Sequence, residues 1–119
     1  MPQIRRDQIA ADIVLLAIAG RITLGRECQE IEWALEALIN EGVRKVVFDL
    51  GGLDYVDSTG IGILVTCCGK MSNAGGELHL AALQPKVAEL MRIARLHQII
   101  TFYPTPAAAI ADFAAPSDR

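Results

Sequence analysis

The apolar positions along the chain change period several times, and the changes outline strands alternating with helices. Asp12 to Ala19, DIVLLAIA, is a short, nearly continuous apolar run closed by Gly20. It predicts a buried strand, with Ile4 to Gln8 pairing along its edge. From Glu27 to Glu41 the residues Cys28, Ile31, Leu35, Leu38 and Ile39 recur at three- and four-residue steps, and Gly42 stands where a terminating glycine belongs. That spacing predicts an amphipathic helix, with Trp33 on the side away from the stripe, packed under a loop or tail. Lys45 to Leu50, KVVFDL, is rich in β-branched and aromatic residues and reads as a central strand that leaves through a short loop at Gly51 and Gly52.

A second helix is expected from Ser58 to about Met71, with Ile61, Leu64, Val65, Cys68 and Met71 on one face, ended by Asn73-Ala74-Gly75-Gly76. Glu77 to Ala81, ELHLA, alternates as a strand should. Gln84-Pro85 then opens a helix that places Val87, Leu90, Met91 and Ala94 on one side. A last strand over Ile99 to Phe102 precedes Thr105-Pro106, a capping residue followed by a first-turn proline, for a small helix ending near Phe113. The tail from Ala115 to Arg119 is expected to fray. Strands alternating with helices imply an α/β fold, a mostly parallel or mixed sheet covered by helices.

Composition narrows this picture. The 119 residues suit one domain, and 52% hydrophobic with 21% charged residues suits a folded aliphatic core. The formal charge of -3, with both signs interspersed, offers no basic stripe for a phosphate backbone, so nucleic acid is not an expected partner. No apolar run approaches the roughly 20 residues of a membrane span, and MPQIRRDQ has no signal-peptide core. Cys28, Cys67 and Cys68 are an odd set without metal-site spacing, which suits buried thiols in a reducing cytoplasm.

The segment that follows the central strand holds the candidate chemistry. Asp49, Asp54 and Asp57 raise a metal or phosphoryl-transfer reading, because loops at the carboxyl ends of strands carry function in such sheets. A receiver domain would need an acidic pair after its first strand and a lysine after its last, where this chain has Ala19-Gly20-Arg21 and Tyr103-Pro104. G-x-S-x-G is missing, Asp57-Ser58-Thr59-Gly60 has one residue too many for an aspartic protease, and Gly69-Lys70-Met71 is not a phosphate-binding loop. His79 and His97 have no carboxylate or cysteine at a telling spacing and read as structural or surface residues.

What remains is DSTGIG, Asp57 to Gly62. Ser58 reads as a helix N-cap, yet each interior helical glycine costs roughly 0.8 to 1 kcal/mol relative to alanine. A physical reason for Gly60 and Gly62 is clearance, a turn bare enough for another protein or an ATP phosphate to approach the serine. Ile63, placed by the step count away from the core, would be an apolar contact beside that patch.

VVFDLGGLDYVDSTGIGILV, Val46 to Val65, closely resembles the signature of STAS domains, specifically the bacterial anti-sigma factor antagonists. Ala19-Gly20, the stretch Asn73 to Leu80 and the segment Val87 to Ile100 resemble the same family in order and spacing, so the match covers about Ile4 to Tyr103. The resemblance implies a STAS-like single domain with its core at about 4–113, no enzymatic activity and no cofactor. It implies a partner, an anti-sigma factor that is usually a serine protein kinase, whose capture frees a sigma factor. The kinase would inactivate the chain by phosphorylating Ser58, with Thr59 the lesser candidate, and a serine phosphatase would reverse it. The partner-binding face implied is Arg21, Thr23, Asp57, Ser58, Gly60, Gly62 and Ile63. The family typically carries Gly-Glu-Leu-Asp where this chain has Gly20-Arg21-Ile22-Thr23, replacing two acids by a base and a neutral hydroxyl. The alternative is a STAS interaction or scaffold domain that assembles without a phosphorylated serine.

Overall fold

The computed structural model describes residues 3–23 and 25–114. Five strands form one mixed sheet in sequential order. β1 (Gln3–Ala10) runs antiparallel to β2 (Ile13–Ile22), while β3 (Lys45–Val56), β4 (Glu77–Ala81) and β5 (Phe102–Tyr103) continue parallel to β2. The parallel neighbours are joined through α1 (Arg26–Asn40), α2 (Ser58–Asn73) and α3 (Pro85–Ile93), as parallel pairing demands, and α4 (Pro106–Ala114) follows β5. The tail predicted to fray, 115–119, lies outside the described residues.

Alternation along the strands divides the core between the two faces of the sheet. Val14, Leu16, Ile18 and Ile22 of β2 point to one face with Val46, Phe48 and Leu50 of β3, and meet Ile31 and Leu35 of α1, Leu64 and Met71 of α2, and Val87 and Met91 of α3. Leu15 and Val47 point to the other, where Ala81 of β4 and Ala109 of α4 complete a smaller cluster. Three helices therefore cover one face and α4 the other. The exposed edge strand β1 carries Arg5, Arg6 and Asp7, charges that discourage pairing with another sheet, and Arg6 reaches Glu41 through two bonds of 2.7 and 2.9 Å. Lys70 of α2 bridges Glu32 and Glu36 of α1, tying those helices together over the core and raising the Lys70 pKa through the two carboxylates.

The elements match the predicted order, with three differences. β3 does not stop at Leu50 but continues through Gly51 and Gly52 to Val56, because β2 extends to Ile22 and supplies partners through a register shift. Gly52 is required there: a Cβ would lie 2.7 Å from the Ala19 Cβ. The last strand is Phe102–Tyr103 rather than Ile99 to Phe102. Arg95 turns left-handed at φ 61°, Leu96–Gln98 form a 3-10 turn, and Ile100 N donates to the Leu96 carbonyl at 2.8 Å, which consumes the start of the expected strand. On α3, Leu90 is 38% exposed instead of joining Val87 and Met91 in the core. Thr105 accepts from Ala108 N at 3.1 Å and caps α4 as expected.

His79 is buried and does have a carboxylate neighbour, against expectation. Nε2 lies 3.0 Å from Glu77 Oε2, two residues back on the same face of β4, and Nδ1 lies 2.9 Å from the Ala109 carbonyl oxygen. Its ring stacks on Phe113 at 3.8 Å between centroids, and Tyr103, 4.7 Å away, donates its hydroxyl to Asp112 at 2.5 Å. His79 thus serves to dock α4, a structural role. Trp33 stands 59% exposed on α1, so none of the described residues covers it as predicted.

The three cysteines are free thiols. Burial pushes the Cys67 thiol up to about 12 and the Cys68 thiol up to about 11, and burial also raises Cys28. At pH 8 the folded chain is expected to react with a disulfide reagent at Cys67 and Cys68 about a hundredfold more slowly than a free cysteine, whose pKa is about 8.5, and at the free rate after unfolding in guanidinium. Phe113→Ala is expected to lower stability by about 2 kcal/mol and to speed amide exchange in α4 while leaving α1 and α2 protected; urea unfolding and hydrogen exchange read this out.

Candidate functional site

The ends of β2 and β3 place the DSTGIG segment. Ile22 pairs with Val56, and Asp57 N donates to the Ile22 carbonyl at 3.2 Å, so the chain stays attached to β2 until α2 begins. The capping residue is Asp57, not Ser58 as predicted. Asp57 is extended at ψ −176°, its Oδ1 accepts from Gly60 N at 2.8 Å and its carbonyl from Ile61 N at 2.9 Å. A carboxylate in that position satisfies an otherwise orphan amide and interacts favourably with the positive end of the helix. Ser58 is thereby moved into the first helical position with its side chain exposed and no capping duty, and Thr59 beside it is also exposed.

The two glycines differ. Gly60 is buried, and a Cβ there would stand 2.5 Å from Val56 Cγ2 and 2.6 Å from the Ile22 carbonyl oxygen. Its purpose is close packing of the helix start on the strand ends, which corrects its prediction as partner clearance. Gly62 is exposed with nothing within 4 Å of a Cβ, so the turn is open at that position. Ile63 is not turned away from the core as expected; it is partly buried against the large cluster, because α2 packs through Leu64 and Cys67 and brings Ile63 to the margin.

Arg21 and Thr23 lie alongside this turn on β2 and just past its end. Arg21 is exposed, in register with Tyr55, and its guanidinium carbon sits 4.7 Å from the Tyr55 ring centroid. The Thr23 hydroxyl donates to Glu27 Oε1 at 2.8 Å, and the Thr23 carbonyl accepts from the Cys28 thiol at 3.2 Å, so Thr23 ties the strand end to the start of α1. Sheet register therefore brings Arg21, Thr23, Asp57 and Ser58 to one end of the molecule, with Gly62 one turn further along α2.

The carboxylates that raised a metal reading act separately. Asp49 accepts from Gly51 N at 3.0 Å, Asp54 is approached by the Gln84 amide at 3.5 Å, and Asp57 caps α2. Among the described residues no three histidine, cysteine, aspartate or glutamate side chains gather as a metal site would require, and no helix is long and apolar enough to cross a membrane. Sequence reasoning missed one feature, a groove of about 590 Å³ between the end of β3 and α3, lined by Tyr55, Val56, Val87 and Leu90. The apolar spacing of α3 assigned Leu90 to the core, which hid it.

The contrast between the glycines is testable by urea unfolding. Gly60→Ala is expected to destabilise the chain by about 2 kcal/mol through overpacking against backbone. Gly62→Ala is expected to stabilise it by about 0.5 to 1 kcal/mol, since it removes a helical glycine in open space.

A family model described as the STAS domain matches residues 5–109. BtrV of Bordetella bronchiseptica, which carries the name anti-sigma factor antagonist, is 31% identical over 102 residues, covering 86% of this chain and 88% of that protein. Among solved structures, an anti-sigma factor antagonist from Mycobacterium paratuberculosis superposes with a TM-score of 0.82 at 18% identity, over 97% of this chain and 96% of that one. SpoIIAA, the Bacillus cell fate determinant, solved in its phosphorylated form, superposes with a TM-score of 0.71 at 15% identity, over 93% and 99%. With the family signature spanning most of the sheet and a relative above 30% identity along most of its length, the chain belongs to the STAS domain family and, within it, to the anti-sigma factor antagonists.

Proposed function

We propose that this chain binds an anti-sigma factor with serine kinase activity through the turn at the end of β2 and β3, and that phosphorylation of Ser58 breaks the complex. The observation that carries this reading is the exposed Ser58 side chain at the first position of α2, freed from capping by Asp57 and held next to the open Gly62. SpoIIAA, of the same fold, has been solved both phosphorylated and unphosphorylated, which supports a chain of this architecture carrying the modification without unfolding. The role is regulatory, a protein switch rather than an enzyme.

The energetics suit a local switch. A phosphoryl group adds about -1.5 to -2 charges at neutral pH, directly beside Asp57. In the free chain the amides at the start of α2 offset that charge, so the fold persists. In a docked interface the same group brings bulk, desolvation and like-charge repulsion. A hundredfold loss of affinity corresponds to only about 2.8 kcal/mol, well within reach of a buried doubly charged group.

A second reading, a STAS module that assembles with signalling partners and is never modified, is favoured by Arg21 and Thr23, which stand where the family pattern has acids and are engaged with Tyr55 and Glu27.

Ser58→Asp is expected to bind the cognate anti-sigma factor at least about a hundredfold more weakly than the unmodified chain in calorimetry, and Ser58→Ala to bind with full affinity. Equal affinity of Ser58→Asp and the parent would sink the switch. Incubation with the kinase and ATP followed by intact mass measurement is expected to add one phosphate, absent in Ser58→Ala; no added phosphate supports the unmodified module.

A further inference from the structure

The projecting half of β3 is weakly paired where it begins. β4 pairs with β3 only from Lys45 to Asp49, because Ala82 turns left-handed at φ 64° and its N–H bonds the Tyr103 carbonyl of β5 at 3.0 Å. On the other side the β2 register shifts between Ala17 and Ala19. Asp49 and Gly52 keep partners there, while Leu50 and Gly51 have none among the described residues of either neighbouring strand. The stretch also contains two adjacent glycines, the residues with the most backbone freedom to lose. Beyond it the same strand runs on to Val56 and into the Asp57–Ser58 turn.

Two side chains stand in for the absent ladder at Gly51. The Asp49 carboxylate accepts from Gly51 N at 3.0 Å, and the Gln84 side-chain amide donates to the Gly51 carbonyl at 2.9 Å. The first bond is local to the strand; the second reaches across 33 residues from the start of α3. Gln84 occupies the N-cap position of α3, yet its side chain is not used to cap that helix, and its own carbonyl accepts from Ala88 N at 2.8 Å. A backbone fixed by the helix and a side chain directed at β3 make this residue a tie between them. The amide nitrogen also lies 3.5 Å from Asp54 Oδ1. Both neighbours are acceptors, so the position calls for a donor.

We infer that Gln84 is a positioning residue for the Asp57–Ser58 turn: its amide holds the projecting half of β3 against β2, so that the turn is already formed when a partner docks. The inference rests on the reading of that turn as the docking face, and adds to it a residue that no motif marks. Gly51 is exposed, so water replaces the bond when Gln84 is changed, and fold stability alters little. What is lost is order in advance of binding, which a partner must then supply.

Substitutions at position 84 separate this role from helix stability, because the two rank them in opposite orders. Gln84→Glu places a carboxylate at the positive end of α3, which suits the helix, but it donates nothing to Gly51 and repels Asp54. Gln84→Lys is unfavourable for the helix end, yet its ammonium donates to the same carbonyl beside Asp54. In hydrogen exchange on the full chain, Gln84→Leu and Gln84→Glu are expected to speed the Asp57 and Gly60 amides by about threefold to tenfold, the equivalent of one neutral hydrogen bond. The amides of α1 are expected to be unchanged, and Gln84→Lys to restore the parent rates. Calorimetry against the cognate anti-sigma factor is expected to show the same ranking, with a loss of affinity of the same size in Gln84→Leu and Gln84→Glu. Unchanged exchange at Asp57 and Gly60 in those two variants overturns the inference, as does a Gln84→Lys chain that behaves like Gln84→Leu. Faster exchange with undiminished affinity overturns it too, and leaves the Ser58 reading standing. If the anti-sigma factor does not bind the parent chain, the Ser58 reading falls, and exchange alone decides whether Gln84 positions the turn.

Discussion

The approach of Gly60 to the paired ends of β2 and β3 governs the end of the molecule where α2 begins. With the Ile22 carbonyl oxygen 2.6 Å and Val56 Cγ2 2.5 Å from where a Cβ would stand, the first turn of α2 lies directly on the strand ends. That closeness lets Asp57 bond Ile22 through its backbone and Gly60 through its carboxylate at once. Once Asp57 is committed to the cap, Ser58 is left with an exposed hydroxyl at the positive end of a helix. A side chain at position 60 would lift α2, loosen the cap and move the serine, so helix packing and the placement of Ser58 share one contact.

The same end of the sheet collects the other candidate residues through register rather than proximity in sequence. Parallel pairing sets Arg21 beside Tyr55 and Ile22 beside Val56, which places Arg21 and Thr23 next to a turn more than thirty residues later. The overhang of β3 past β4 opens the groove along α3, and the long β2 that makes the overhang possible is the strand that carries Arg21. On the other face of the sheet His79 and Phe113 hold α4.

Much of the fold was legible in the sequence because its elements are short, strongly periodic and bounded by glycine or proline. Glu77 to Ala81 alternates cleanly and forms the strand so predicted, and Thr105-Pro106 caps α4 as its chemistry requires. The errors fall where a partner strand overrides a local signal. Gly51-Gly52 reads as a loop in isolation, yet it is strand, because β2 supplies hydrogen-bonding partners and Ala19 leaves no room for a larger side chain.

The candidate site divides in the same way. Sequence by itself determined the chemistry: an Asp-Ser-Thr-Gly turn with a serine in it, and the family that this pattern marks. Only the tertiary structure decided the assignment of roles within it. Which residue caps α2 depends on the extended backbone of Asp57 bound to β2, and which glycine is structural depends on what lies across from it, since Gly60 faces a carbonyl and Gly62 faces open space. Leu90 belonged to the core by periodicity, yet α3 stands where β3 has no β4 beside it, and the missing strand leaves Leu90 on the wall of a groove. Side-chain identity and spacing are local properties, and they suffice to name a motif. Clearance, register and exposure are set by residues distant in the chain, and no local pattern encodes them.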